Sequence, residues 1–240
     1  MVERLSQANR PVGRAVGFQN WRSLLFLHWP VPTEAMRHVV PPQLSLDLHE
    51  GVAYVGVVPF IMKDVRPRWL PQRFSFSFLE TNVRTYVHDG QRAGVYFFSL
   101  DASSRLAVWA ARAGWSLPYY FADMQIEEYG GQVHYKTQRV KSNESFFVQY
   151  EIREPIGISQ PGTLEHFLLE RYLLFAQRRD KIFVGQVHHT PYPVHAAEVG
   201  ELCDELVGAA GLPNTDARPA FAHYSPGVDV EVFALKESVL

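Results

Sequence analysis

The sequence predicts a mainly β (α+β) chain, an antiparallel barrel or sandwich with a few peripheral helices. Three observations predict it: many short segments with period-two or continuous apolar patterning, Gly-containing hairpin signals between them, and few segments with helical spacing. At 240 residues with 47% hydrophobic and 13% aromatic residues, the chain can bury a sizeable core. It shows no linker, repeat or low-complexity stretch, so an N-terminal arm over residues 1–20 and one domain over residues 21–240 are expected.

Trp21 to Trp29 reads as an apolar strand stopped by Pro30. Pro32 to Val39 reads as a short helix with Thr33 as its cap. Leu44, Leu46 and Leu48 alternate with Ser45, Asp47 and His49, and Glu50-Gly51 turns the chain into a strand over 52–60. The Pro/Arg-rich stretch 65–71 reads as a surface loop. Residues 74–88 alternate along a long strand, and Asp89-Gly90 leads into another over 95–101. Ser103 or Ser104 can cap a helix whose Leu106, Trp109, Ala110 and Ala113 form an apolar stripe, with Gly114 as its stop. Strands over 124–129 and 132–140 flank Gly130-Gly131, a strong hairpin signal. Further strands are expected over 146–152, 182–188 and 228–235, with helices opened by Thr163 and over 196–210, the latter closed by Gly211 and Pro213.

The net charge of -2 argues against nucleic acid, which needs a clustered basic surplus. No run approaches the roughly 20 apolar residues of a spanning helix, so no membrane association is expected. Lone Cys203, expected to pack within a helix, excludes an internal disulfide and fits a reducing compartment; the N-terminus carries no secretory pattern, and a cytoplasmic address follows as the expectation. Metal spacings such as His-x-His or Cys-x-x-Cys are absent, and adjacent His188 and His189 on a strand point to opposite faces. Neither a Gly-x-Ser-x-Gly elbow nor a phosphate-cradling glycine loop is present, so no cofactor is indicated.

Within 74–88 the even positions run Phe74, Phe76, Phe78, Glu80, Asn82, Arg84, Tyr86. Strand side chains alternate faces, so these polar groups share the face begun by three phenylalanines. A two- or four-residue loop at Asp89-Gly90 would put Val95, Phe97, Ser99 and Asp101 on that same face, opposite Glu80. Apolar walls with a few convergent polar groups are the composition of a small-molecule pocket. The alternative is a solvated face with ordinary surface ion pairs. Arg171, in a segment read as mid-helix, either pairs inward with an acid or belongs to a surface pair.

Several segments together resemble the YqjF-like family of bacterial proteins, related to the acetoacetate decarboxylase superfamily. They are Val39-Val40-Pro41-Pro42-Gln43-Leu44 with Asp47, Tyr54 through Phe60, Glu80-Thr81-Asn82-Val83-Arg84-Thr85-Tyr86-Val87, Gly94 through Asp101, and Ala111-Arg112 through Leu117-Pro118-Tyr119-Tyr120. Glu170-Arg171-Tyr172 and His188-His189-Thr190-Pro191 fit as well. The resemblance implies that Glu80 matches the decarboxylases' active-site glutamate, and that their Schiff-base lysine pair is replaced by Tyr119 and Tyr120. Their carboxylate-holding arginine would fall near Trp29-Pro30, where none stands. It therefore implies an inherited pocket without the decarboxylase chemistry; the alternation and the resemblance together give an expected lining of Glu80, Asn82, Arg84, Ser99, Asp101, Arg112, Tyr119 and Tyr120. An oxo acid or hydrophobic metabolite is the expected ligand, a non-Schiff-base enzyme or a binding protein the expected role, and a homo-oligomer the expected assembly. The competing expectation is a structural or interaction protein in which a Glu80–Arg112 network braces a degenerate barrel.

Overall fold

The computed structural model describes every residue except Met1, Glu3, Ser116, 215–217 and 239–240, and the side chain of Ala113 also lies outside the described set. In chain order the elements are β1 (Gly17–Val31), α1 (Thr33–Val39), β2 (Ser45–Leu46), β3 (Ala53–Pro67), β4 (Phe76–His88), β5 (Ala93–Ala102) and α2 (Arg105–Trp115). Then follow β6 (Tyr119–Tyr129), β7 (Gln132–Arg139), β8 (Ser145–Gly157), α3 (Leu164–Leu169), β9 (Leu173–Arg178) and β10 (Lys181–His188). The last are β11 (Val194–Asp204), α4 (Leu206–Ala209), β12 (Phe221–Val232) and β13 (Lys236–Glu237).

All thirteen strands belong to one sheet whose pairings close on themselves. One circuit runs β1-β3-β4-β5-β6-β7-β8-β11-β12 and back to β1; a second returns from β5 through β9 and β10 to β12. Pairing is antiparallel except where β6 and β9 lie parallel to β5. The wall common to both circuits is buried on both faces. Leu24, Phe26, Tyr54, Phe60, Phe78 and Tyr86 enter one core, whereas Leu25, Leu27, Val55, Val57, Val83 and Val87 enter the other. Burial on both faces explains why these strands read as apolar runs as much as alternations. No helix among the described residues is long and apolar enough to cross a membrane.

Gly130 and Gly131 both take positive φ (61° and 83°) and join Tyr129 to Gln132, as the hairpin signal requires. Elsewhere the structure corrects the expected elements. β1 runs through Pro30, and β3 extends through Arg66 to Pro67, into the stretch read as a loop. Only Ser45–Leu46 is strand in the segment around Leu44. Thr33 is the first residue of α1 rather than its cap, which is Pro32.

The Ser104 hydroxyl does accept from the Ala107 amide, but Gly114 does not stop α2, which reaches Trp115. This helix buries Ala107 and Val108, with Ala111 and Trp115 packed alongside, while Leu106 and Trp109 stay 60% and 69% exposed. The chain thus turns its smaller apolar face to the core. Thr163 caps α3, which ends at Leu169, so Glu170, Arg171 and Tyr172 lie in the link to β9 and not mid-helix. Most of the expected helix over 196–210 is instead strand β11, with only Leu206–Ala209 helical. Exposed Cys203 therefore sits on a strand and not in a helix.

Candidate functional site

Glu80 lies on β4 between Phe60 of β3 and Ala102 of β5, and is 2% exposed. Its carboxylate oxygen Oε2 accepts the Tyr119 hydroxyl hydrogen at 2.7 Å. Burial pushes its pKa up to about 8, partly offset by hydrogen bonds from Tyr119 and Asn82, and the nearby Asp101 charge adds to the rise. A carboxyl in this state is mostly protonated at neutral pH. Tyr119 is raised well above its ordinary value by burial and by Glu80, so it remains a donor. The Tyr135 hydroxyl lies 2.9 Å from the Glu80 carbonyl oxygen and 3.2 Å from that of Phe60. Phe78 and Phe60 form apolar walls, and Trp21 meets Phe60 edge-on at 6.0 Å.

Asn82 and Arg84 follow Glu80 along the same face, as the alternation requires. Arg84 is 8% exposed; one terminal nitrogen donates to the Leu168 carbonyl at 3.1 Å, and its guanidinium lies over Phe26 at 5.6 Å. Beside it, the Tyr86 hydroxyl donates to the same carbonyl at 2.7 Å and stands 2.7 Å from His28 Nε2. Gly56 makes this approach feasible: a Cβ there would sit 3.0 Å from two His28 ring atoms and 3.6 Å from Arg84 Cγ. Burial, with the Arg84 charge next, holds His28 well below its ordinary pKa. His189, stacked on Tyr172 at 4.6 Å, is lowered to about 4, chiefly by burial. Both imidazoles are neutral at pH 7. Asn82 Oδ1, Arg84 Nε, His28 Nδ1 and His189 Nε2 are buried with no hydrogen-bond partner among the described residues.

Ser99 and Asp101 do not join this face. The four-residue loop from Asp89 to Arg92 gives the expected parity, and Val95 and Phe97 stand opposite Tyr86 and Arg84. A bulge then intervenes: Arg84 pairs with Phe97 but Val83 pairs with Ser99, so Phe98 is the extra residue. Ser99 and Asp101 therefore share the opposite face with Val83 and Thr81. There Asp101, fully buried, receives Arg139 Nε at 2.5 Å and a terminal nitrogen at 3.0 Å, with Ser99 Oγ at 3.4 Å. Burial alone would lower the Arg139 guanidinium, but its bonds to Asp101 outweigh that and hold it above its ordinary value.

Arg139 was missed, although its signal was legible. Val133, Tyr135, Thr137 and Arg139 form one inward phase of β7, and an arginine in that phase needs an acid. Arg112, the expected partner, is exposed. Its Nε donates to the Tyr119 carbonyl at 2.6 Å, and it makes no ion pair with Glu80 or Asp101. Tyr120 is 37% exposed and turns away from Glu80, with the Arg139 guanidinium 4.1 Å from its ring. Arg171, by contrast, does pair inward, with Asp47 at 2.8 Å. Nearby Glu170 is buried, bonded by the Tyr172 hydroxyl and the Tyr192 amide.

Lys63, Lys136, Lys141, Lys181 and Lys236 are all exposed. Among the described residues no group of three or more His, Cys, Asp or Glu could hold a metal ion. A surface cleft of about 540 Å³ is lined by Arg105, Trp109, Arg112, Tyr120, Arg139 and Lys141. Another of about 720 Å³ is lined in part by Glu144, Cys203, Glu205 and Arg218. Neither is lined by Glu80.

Residues 18–229 match the model of DUF2071, described as an uncharacterized conserved protein. Over 243 residues the chain is 35% identical to the uncharacterized protein YqjF of Bacillus subtilis (strain 168), covering 99% of both chains. Among solved structures it is similar to the enduracididine biosynthesis enzyme MppR complexed with pyruvate, with TM-score 0.65 and 9% identity over 99% of this chain and 97% of that one. It is also similar to acetoacetate decarboxylase from Legionella pneumophila, with TM-score 0.65 and 11% identity over 97% and 92% of the two chains. At such identities the likeness shows the fold alone. The match across most of its length and the near-complete coverage of YqjF make this chain a member of the uncharacterized DUF2071 family, built on an acetoacetate decarboxylase-like fold.

Proposed function

We propose that the interior around Glu80, Asn82 and Tyr119 is a small-molecule pocket that works without a Schiff base. The observation that carries this reading is Glu80: 2% exposed, with no cation in ion-pair reach among the described residues, and with a pKa raised to about 8. A neutral carboxyl can donate a hydrogen bond to a ligand oxygen and, near its pKa, act as a general acid. Exposure of all five lysines supports the non-covalent part of the reading, because an iminium-forming amine must be unprotonated at neutral pH and needs desolvation or a cationic neighbour.

The test is a thermal-shift panel of oxo acids and apolar metabolites on the wild type and Glu80→Gln, with borohydride trapping in the presence of acetoacetate. The expected outcome is a ligand-dependent rise in Tm that the substitution diminishes, with no mass adduct on any lysine. A stable adduct would overturn the non-covalent reading.

A structural role is the second reading, with the site serving as a brace. It is favoured by the bonds that already occupy the Glu80 carboxyl and carbonyl, from Tyr119, Asn82 and Tyr135. A panel without any shift, together with a destabilised Glu80→Gln at acid pH, is the outcome that reading expects.

A further inference from the structure

We infer that Arg84 is the receptor for the charge of the ligand, and that this ligand is a small monocarboxylate lying along the interior face of β4 with its anionic end at Arg84. The inference rests on the pocket reading above and adds the ligand's chemical class. It starts from a contrast among the buried arginines. Arg139 has Asp101 at 2.5 Å and Arg171 has Asp47 at 2.8 Å, whereas Arg84, more than nine-tenths buried, has no carboxylate in ion-pair reach among the described residues. Its hydrogen-bond partners are neutral, the Leu168 carbonyl and the Tyr86 hydroxyl, and its Nε–H is buried without a partner among the described residues. A desolvated guanidinium lacking a counter-charge is the least favourable state of a buried arginine.

The surroundings do not make up the deficit. His28 and His189 are neutral, and burial holds Tyr86 and Tyr192 above their ordinary values, as phenols and not phenolates. Glu80 stands four residues away along the strand, roughly 13 Å at the backbone, and is itself mostly protonated at neutral pH. Glu170 is already held by Tyr172 and Tyr192. One unmatched positive charge therefore faces an interior that also holds the unpartnered Asn82 Oδ1 between Arg84 and Glu80. A monoanion balances that charge; a dianionic phosphate would leave a surplus negative charge in the same low-dielectric interior. Carboxylate oxygens are natural acceptors for a guanidinium N–H.

The experiment follows the thermal unfolding of the full-length protein, titrated at constant ionic strength with propionate and with its neutral isostere propionamide. Wild type and Arg84→Met are compared. The expected result is a rise in wild-type Tm with propionate, about 5–10 °C at a hundredfold excess over Kd, and none with propionamide. Arg84→Met should unfold at or above the wild-type temperature in carboxylate-free buffer, since an apolar chain replaces an unmatched charge, and should ignore propionate. Equal responses to acid and amide would overturn the receptor and leave the pocket intact. A wild type indifferent to propionate would also overturn it, and the pocket would then stand or fall on the ligand panel alone. Arg84→Met unfolding below wild type in every buffer would identify Arg84 as a brace for Leu168.

Discussion

Glu80 should make the protein less stable as pH rises, and Glu80→Gln isolates the effect. In the unfolded chain this carboxyl ionises near 4.5; in the folded protein it holds its proton to about 8. Between those values the native state binds a proton that the unfolded state has released, so each increase in pH favours unfolding. The contribution of the neutral side chain is fully present below 4.5, is lost progressively up to about 8, and is level above it. At 1.36 kcal/mol per pKa unit, the whole interval corresponds to about 4–5 kcal/mol. Glutamine keeps the shape and can still accept the Tyr119 hydrogen, but it does not titrate. Urea unfolding of both proteins from about pH 5 to about pH 9 should show wild type losing several kcal/mol relative to the variant. The depressed histidines, His28 and His189, act in the opposite sense at acid pH, but they are common to both proteins and cancel in the difference. A difference that stays constant across the range would refute the buried neutral carboxyl.

The two arginines next to β6 should separate cleanly in chemical denaturation. Arg139→Ala strands the buried Asp101 charge and should cost about 3–5 kcal/mol. Arg112→Ala removes one part-buried bond to the Tyr119 carbonyl and should cost about 1 kcal/mol, and the reverse order would contradict the ion-pair assignment. Gly56→Ala should cost about 1–3 kcal/mol, because its Cβ meets the His28 ring, and unchanged stability would mean that the ring can move aside. Exposed Ile152, Ile156 and Ile158 on and just after β8 fit a covered surface, so light scattering at micromolar concentration should give a homodimer and not a monomer.

The strands were legible where one residue pattern decided them. β4, β5 and the β6–β7 hairpin follow from alternation and from two glycines with positive φ. What failed was legible only through tertiary pairing. Residues 196–210 are rich in Ala, Glu and Leu with a Gly-x-Pro stop, which favours a helix locally, yet β11 is held between β8 and β12. Two apolar stripes compete on α2, and the sheet accepts Ala107 and Val108 in place of the bulkier Leu106 and Trp109. Local spacing ranks such stripes by hydrophobicity, whereas the space above a sheet ranks them by size.

The site was legible up to the bulge at Phe98 and illegible beyond it. Alternation put Glu80, Asn82 and Arg84 on one face, and the hairpin parity carried correctly as far as Phe97. An inserted residue leaves no mark in a period-two pattern, so Ser99 and Asp101 were assigned to the wrong side. The consequence is chemical. Without the bulge, Asp101 would face the same interior as Glu80, and two carboxyls would share one environment, with the Arg84 guanidinium four residues further along the strand. With it, the sheet stands between the two acids. Asp101 faces β7 and takes Arg139, while Glu80 is left with hydroxyl and amide partners and, among the described residues, no cation in ion-pair reach. One extra residue thus sorts two acids into opposite environments, one charge-paired and one held neutral by burial.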